Sequence, residues 1–204
     1  MYRITRSIYK VVIFTLLVLF ITGTAFSQSR RERQMQPERV MDAVGVKPGM
    51  IIGEAGAGAG FFTFFLAERV GDEGKVYAND INRRSLDRLK SQADRQGLDN
   101  IEIVVGDVDD PKFPAKDLDM IVMVYVLHHL DRPVDFMEKL EKYIKQDAPV
   151  VIIEQNTGRD RVNKNQDNLS GRQILALMER TNFKLDRRET FLDRDTVYIY
   201  KLDK

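Results

Sequence analysis

The stretch of sequence that decides the fold covers residues 54–60 and reads Glu54-Ala55-Gly56-Ala57-Gly58-Ala59-Gly60. A strand-like run at 50–53 leads into it, and an apolar segment rich in phenylalanine, residues 61–66, opens a helix after it. Glycines permit positive φ angles and let the backbone approach a ligand closely, while a helix N-terminus offers unpaired N–H groups. The order of strand, glycine turn and helix therefore predicts a nucleotide-binding turn in an α/β protein.

The rest of the chain alternates short apolar runs with amphipathic stretches from residue 36 onward, which indicates a parallel sheet with crossover helices. The predicted strands are 50–54, 75–80, 101–105, 120–126, 149–154, 184–189 and 196–202, and the predicted helices are 61–70, 83–96, 133–144 and 170–181. Ser170 is a candidate N-cap for the last helix. The polar segment 156–168 is placed either to cover a substrate or to form an ordinary surface loop.

Composition restricts the class of protein. The chain has 204 residues, of which 43% are hydrophobic and 31% charged, and this suits one globular domain. It contains no cysteine, which excludes disulfides, thiolate metal sites and cysteine nucleophiles. Short basic stretches are interleaved with acids, so no cationic face for nucleic acid is expected. No pattern in the sequence indicates an oligomeric state.

The N-terminus has the layout of a secretory signal peptide. Residues 1–10 carry three positive charges, residues 11–21 are almost wholly apolar, and small residues precede Gln28. The expected division is a signal peptide at 1–27 and a domain at 28–204, exported to the periplasm or cell envelope. The alternative is an uncleaved membrane anchor through residues 8–26, with three arginines between 30 and 33 keeping the domain in the cytoplasm.

Asp80 supplies the second element of a nucleotide site. It ends the second predicted strand, about 20 residues after the last glycine of the turn, and this spacing suits a carboxylate that accepts both ribose hydroxyls. A dinucleotide site requires Gly-x-Gly-x-x-Gly, but starting from Gly56 and Gly58 puts Phe61 at the third glycine. An NAD-dependent oxidoreductase therefore remains a rival class that this spacing disfavours.

The spacing Glu-x-Gly-x-Gly-x-Gly resembles the first motif of class I S-adenosylmethionine-dependent methyltransferases, in particular the small-molecule and quinone-biosynthesis subgroup. Two further elements of that family have similar counterparts here, Val104-Val105-Gly106-Asp107-Val108 for the third strand and Leu127-His128-His129-Leu130 after the fourth. The resemblance implies an α/β fold with a Rossmann-like, seven-stranded, mostly parallel sheet, helices on both faces and an antiparallel last strand. It also implies S-adenosyl-L-methionine as the cofactor.

The resemblance assigns the cofactor-binding residues one by one, as Glu54, Ala55, Gly56, Gly58, Gly60, Asp80, Ile81, Asp107, Val108 and Tyr125. The turn would hold the methionine part, with Glu54 reaching its ammonium group directly or through water. Asp80 would accept the ribose hydroxyls. Asp107 and Val108 would meet the adenine, and Ile81 would lie against one face of its ring.

His129 is the candidate catalytic residue. The chain has two histidines, both at the carboxyl end of the fourth predicted strand, and His129 is predicted to face the cleft as a base for an acceptor that carries a proton. The alternative is a histidine that only bonds to backbone at the strand end. Two histidines without acidic partners at ligand spacing indicate no metal site. After the fourth predicted strand the sequence lacks Asn/Asp-Pro-Pro-Tyr, which in the family that it resembles is the usual signature of enzymes that methylate amide or base nitrogens. Small-molecule oxygen, nitrogen or carbon acceptors remain open.

The predicted cofactor conflicts with the predicted location outside the cytosol, because S-adenosylmethionine is made and mostly used in the cytosol. A membrane anchor with the domain inside the cell would resolve the conflict. A non-catalytic nucleoside-binding module of the cell envelope is the other alternative.

Overall fold

The structure is a computed structural model that describes residues 30–155 and 169–203. The chain divides into two compact units, Met1–Gln36 and Pro37–Lys204. The described part of the first unit contains helix α1, Arg30–Met35. The predicted signal segment 1–27 and the polar segment 156–168 lie outside the described residues. In the ranges that are described, no helix is both long and apolar enough to cross a membrane.

The second unit alternates strands with helices as the sequence predicts. In chain order its elements are α2 (Pro37–Val44), β1 (Ile51–Ala55), α3 (Phe61–Val70), β2 (Lys75–Asp80), α4 (Arg83–Gln96), β3 (Ile101–Val105), β4 (Met120–Val124), α5 (Pro133–Leu140), β5 (Val150–Gln155), α6 (Gly171–Met178), β6 (Phe183–Glu189) and β7 (Asp195–Leu202). Two short 3-10 helices, Leu127–His129 and Glu141–Tyr143, precede and follow α5.

The strands form one sheet in the order β3-β2-β1-β4-β5-β7-β6. Strands β1 to β5 are parallel, and β7 runs antiparallel between β5 and β6. All five residues of β4 are buried, which requires that both faces of the sheet are covered. The expected α/β fold with a mostly parallel seven-stranded sheet and an antiparallel last strand is thus confirmed for the described residues. The strand order reverses between β1 and β4, which is where open α/β sheets bind ligands.

Three predicted boundaries were wrong by two residues or more, and helices α1 and α2 were missed. The last helix was predicted to reach residue 181 but ends at Met178. The fourth strand ends at Val124 instead of 126 because Tyr125 takes a left-handed φ of 58°, which no strand continues. The helix predicted to reach 144 is α-helical only to Leu140 and then tightens into the second 3-10 helix. Helix α2 escaped detection because its eight residues are fewer than the 10 or so that make a periodic pattern clear.

Ser170 caps α6 as predicted. Its hydroxyl accepts the backbone N–H of Gln173 at 3.3 Å, and the Gln173 side chain accepts the Ser170 N–H at 2.9 Å, so the two form a capping box. The helix then buries Ile174 and Met178 in the cluster that α5 shares with the sheet. This packing fixes α6 against α5 and the sheet.

Asp119 joins the starts of the two central strands. Its Oδ2 accepts the Ile51 N–H at 2.8 Å, and the Lys145 ammonium lies 2.5 Å from its Oδ1. Burial opposes ionisation of this carboxyl, but the Ile51 N–H and the Lys145 ammonium outweigh it and hold the pKa of Asp119 below its usual value. The charged side chain therefore fixes β1 and β4 side by side, which places their carboxyl ends together.

Candidate functional site

A cavity of about 340 Å³ opens at the carboxyl ends of β1, β2 and β4, where the strand order reverses. Its size falls within the range of ordinary small-molecule sites. The residues that line it are Gly56, Asn79, Asp80, Ile81, Asp107, Val108, Tyr125, Val126, His129, Leu130, Asp131 and Phe136. Seven of these twelve were predicted from the sequence, and they come from loops that are far apart along the chain.

The glycine turn forms one wall of the cavity. Gly56 has a φ of 77°, and a Cβ atom at this position would lie 2.3 Å from the Val126 Cγ2. The Ala57 N–H donates to the Asn79 carbonyl at 2.7 Å, which ties the turn to the end of β2. A glycine is therefore required at residue 56 both by its backbone angle and by the space that Val126 occupies.

Asp80 lies at the floor of the turn with both carboxylate oxygens in use. Oδ2 accepts the Gly58 N–H at 2.8 Å and Oδ1 accepts the Asn82 N–H at 2.7 Å. A carboxylate has about four lone-pair sites, so each oxygen can accept one further bond. Two vicinal hydroxyls, as in ribose, match that remaining capacity. The residue thus fits the predicted ribose contact while also fixing the turn.

Two apolar side chains flank Asp80 and Asp107 at the mouth of the cavity. Among the described residues four large hydrophobic side chains are exposed, and two of them, Ile81 at 58% and Val108 at 67%, line this cavity. Exposed apolar groups beside polar ones are typical of ligand sites, because a flat heterocycle can cover them. The pair therefore fits an adenine ring, which has two apolar faces and a polar edge.

Asp107 forms an ion pair with Lys112, a contact that was not predicted from the sequence. The Lys112 ammonium lies 2.5 Å from its Oδ2, and the Asp107 N–H donates to the Asp110 carbonyl at 2.8 Å. The hydrogen bond from the Lys112 ammonium to Asp107 raises the pKa of Lys112 above its usual value. A contact from Asp107 to an adenine amino group would compete with this exposed ion pair, which costs little to break.

Tyr125 lines the cavity in a strained conformation. Its φ of 58° is rare for a residue other than glycine, and such strain persists only when the surroundings impose it. Its N–H donates to the Ile153 carbonyl at 2.9 Å, and its side chain bonds to the buried carboxyl of Asp195 at the start of β7. Burial raises the pKa of Asp195, and the hydrogen bond from Tyr125 lowers it by less.

The two histidines have separate environments. His129 is exposed and lines the cavity, whereas the His128 side chain is 8% exposed and its Nδ1 lies 2.7 Å from Oε2 of Glu154. The ring centroids of the two histidines are 4.0 Å apart with an interplanar angle of 47°. His129 thus faces the cleft, the orientation that was predicted for it. Glu154 was missed, although an acid that ends the apolar run of β5 is a visible signal.

Four of the predicted cofactor residues are not part of the cavity lining. Ala55 is fully buried, and Glu54 is 2% exposed with its Oε2 accepting the Thr63 hydroxyl at 2.5 Å. Gly58 contributes to the site indirectly, because its N–H donates to the Asp80 carboxylate. At Gly60 a Cβ atom would lie 2.7 Å from Cγ of Leu89, so this glycine allows close packing of α4. The ligand contacts assigned to these four residues remain predictions.

Five lining residues were not singled out from the sequence, namely Asn79, Val126, Leu130, Asp131 and Phe136. Asn79 is buried, and its Nδ2 donates to the Pro111 carbonyl at 2.7 Å and to the Val104 carbonyl at 3.3 Å. It therefore holds the loop after β3 against the end of β2. In the sequence, the position of Asn79 directly before Asp80 could have indicated that it belongs to the site.

Comparison with known proteins matches the chain to one protein family. A family model described as a methyltransferase domain matches residues 46–190. Among curated proteins, nocamycin O-methyltransferase of Saccharothrix syringae is 35% identical over 83 residues, which are 41% of this chain and 30% of that protein. Demethylmenaquinone methyltransferase of Lactococcus lactis is 25% identical over 126 residues, or 62% of this chain and 50% of that protein.

A solved structure agrees over most of the chain. The crystal structure of an S-adenosylmethionine-dependent methyltransferase from Aquifex aeolicus has a TM-score of 0.79 and 25% sequence identity, and the alignment covers 88% of this chain and 96% of that one. The chain spans half or less of the length of the two curated relatives named above. The residues that the family model matches include the glycine turn and strands β1 to β5.

Proposed function

Because the chain belongs to the methyltransferase-domain family, we propose that it transfers a methyl group from S-adenosylmethionine to a small-molecule acceptor. The observation that carries the proposal is the placement of Asp80 between the glycine turn and the exposed pair Ile81 and Val108. This combination of a carboxylate, close backbone approach and an apolar platform fits a nucleoside.

Each part of the cavity has a distinct task in this proposal. Asp80 would accept the ribose hydroxyls, Ile81 and Val108 would cover the adenine, and the backbone at Gly56 would lie against the methionine part. The bound cofactor supplies a methyl group on a sulfonium, which is an activated leaving group. The protein then has to align the acceptor with that group and exclude water, and the cavity walls near Tyr125 and His129 are placed to do so.

His129 is the proposed base in this scheme. It lines the cavity from the 3-10 helix that follows β4. A base is needed only when the acceptor atom carries a proton, as an enol or phenol oxygen does, and histidine can accept that proton near neutral pH. The names of the two curated relatives, one an O-methyltransferase and the other acting on demethylmenaquinone, favour hydroxylated rings and quinols as first acceptors to test.

Calorimetric titration of the full-length chain tests the cofactor. We expect S-adenosylmethionine and S-adenosylhomocysteine to bind with micromolar affinity, about −8 kcal/mol, and NAD to give no measurable heat. The reason is that the turn lacks the third glycine of a dinucleotide site and carries Phe61 there. Affinity for NAD together with no binding of either sulfur nucleoside below about 1 mM would refute the proposal.

The acceptor is then found by incubating the protein with the cofactor labelled in its methyl group and a panel of small acceptors. Incorporation into hydroxylated rings or quinols is the expected result. A chain that binds the cofactor and transfers no label to any member of a broad panel would instead favour a non-catalytic nucleoside-binding module.

The location of the domain is a separate proposal, motivated by the charged start and apolar run of residues 1–21. We propose export by a signal peptide, with an uncleaved anchor as the alternative. Cell fractionation followed by sequencing of the mature N-terminus distinguishes the two. A product that starts at Gln28 in the envelope fraction supports export, whereas an intact N-terminus in the membrane fraction would establish the anchor.

A further inference from the structure

Glu154 and His128 form a buried pair directly behind His129. Glu154 is 1% exposed on β5, and its Oε2 lies 2.7 Å from Nδ1 of His128, whose side chain is 8% exposed. The backbone N–H of His128 also points at the same carboxylate, 3.4 Å from Oε1. One buried acid therefore bonds both the ring and the main chain of a residue that does not line the cavity.

This geometry fixes the ring of His128. An ionised Glu154 only accepts hydrogen bonds, and in that form the pair requires the proton on Nδ1 of His128. Two hydrogen bonds to one buried carboxyl group hold a side chain firmly, because breaking them would leave that group unpaired in an apolar region. The plane and the position of the His128 ring are therefore set by β5.

A second contact, between the rings of His128 and His129, links the fixed ring of His128 to the cavity. The His129 ring lies against His128 with 4.0 Å between the ring centroids, and the His129 N–H donates to the Val126 carbonyl at 2.9 Å. His129 itself is exposed, so the His128 ring is the rigid surface that limits its orientation. A side chain that must meet an acceptor within a few tenths of an ångström needs such support.

We propose that Glu154 and His128 are positioning residues, which hold His129 over the cavity where the acceptor is to bind. The inference rests on the proposed function for its chemical meaning, because it assigns the protein groups that support the proposed base. The part that concerns structure alone does not depend on any ligand. It states that the orientation of the His129 ring depends on Glu154.

Nuclear magnetic resonance of the full-length protein labelled with ¹⁵N-histidine tests the inference, since the chain has two histidines and so two sets of ring signals. The His128→Asn variant assigns them. In the unsubstituted protein we expect His128 to show a protonated Nδ1 with slow solvent exchange. In Glu154→Gln we expect the His129 ring signals to shift and broaden, and their response to S-adenosylhomocysteine to fall by half or more.

Glu102→Gln is the matched control, because Glu102 is exposed on β3 and pairs with Lys75. It should leave both histidines unchanged. An unprotonated Nδ1 on His128 in the unsubstituted protein would overturn the inference without any variant. Unchanged His129 signals in a folded Glu154→Gln protein would overturn it as well. If His129 moves but S-adenosylhomocysteine fails to bind even the unsubstituted protein, the proposed function fails and the positioning role stands.

Activity gives a second readout once an acceptor is known. Glu154→Gln should lower kcat by about tenfold or more, since a misplaced catalytic group costs up to about 100-fold. The KM for S-adenosylmethionine should change less than about threefold, since Glu154 does not line the cavity. A rise in that KM with kcat unchanged would show that Glu154 supports cofactor binding, and would contradict the positioning of His129.

Discussion

Replacing Asp80 by alanine is expected to weaken binding of S-adenosylmethionine by roughly 1–3 kcal/mol, or about 5- to 150-fold. The variant loses the carboxylate that we propose as the acceptor for the ribose hydroxyls. It also loses the bonds from the Gly58 and Asn82 N–H groups that hold the turn in shape. Calorimetric titration of the purified variant with the cofactor and with S-adenosylhomocysteine measures the effect.

Two further variants separate these contributions. Asp80→Asn keeps the size of the side chain and an acceptor oxygen, so its loss of affinity should be smaller than that of Asp80→Ala. Asp87→Ala is the control, because Asp87 is an exposed acid on α4 that pairs with Arg83 and does not line the cavity. Equal affinities of Asp80→Ala and Asp87→Ala would disprove the ribose assignment.

The Gly56→Ala substitution is expected to have the largest effect on stability. Alanine at a φ of 77° costs about 1–2 kcal/mol, and its Cβ atom would lie 2.3 Å from Cγ2 of Val126. Valine is stiff at χ1 and cannot turn aside, so relief of this overlap costs about 1–3 kcal/mol more. Thermal unfolding should show a melting temperature lower by about 5–15 °C.

Gly97→Ala is the matched control for the backbone strain alone. Gly97 ends α4 with a φ of 68°, and a Cβ atom there would have nothing within 4 Å. Its loss of stability should stay near 1–2 kcal/mol, and cofactor affinity should not change. Gly56→Ala should also lower cofactor affinity, since Val126 lines the cavity. Similar melting temperatures for the two variants would show that Val126 does not crowd the turn.

The sequence predicted those parts of the site that follow from local pattern. The glycine turn, Asp80 at the end of β2, and Asp107 with Val108 after β3 each come at the end of a strand, and parallel strands bring their carboxyl ends to one edge. These elements share a position at the carboxyl end of a strand, whether that strand is buried or at the edge of the sheet as β3 is. Because of that position seven predicted residues line a single cavity, although they belong to four separate loops. Strand boundaries were less accurate where a turn depends on a distant contact, as at Tyr125.

The side-chain partners behind the cavity could not be predicted in this way. The bond from His128 to Glu154 joins residues 26 positions apart, and Tyr125 reaches Asp195 on the last strand. Both depend on the neighbours of β5 in the sheet, namely β4 on one side and the antiparallel β7 on the other. No local pattern encodes that order.

The amino-acid sequence by itself thus determined the α/β class, the turn at residues 54–60 and the position of Asp80 at the end of β2, because each rests on the periodicity and spacing of neighbouring residues. Only the tertiary structure decided which side chain fixes the ring of His128 and why Gly56 tolerates no side chain. Those features depend on the packing of loops that come together only after the sheet has assembled. The partner of a buried carboxyl group and the space around a glycine are set by neighbours that are distant in sequence.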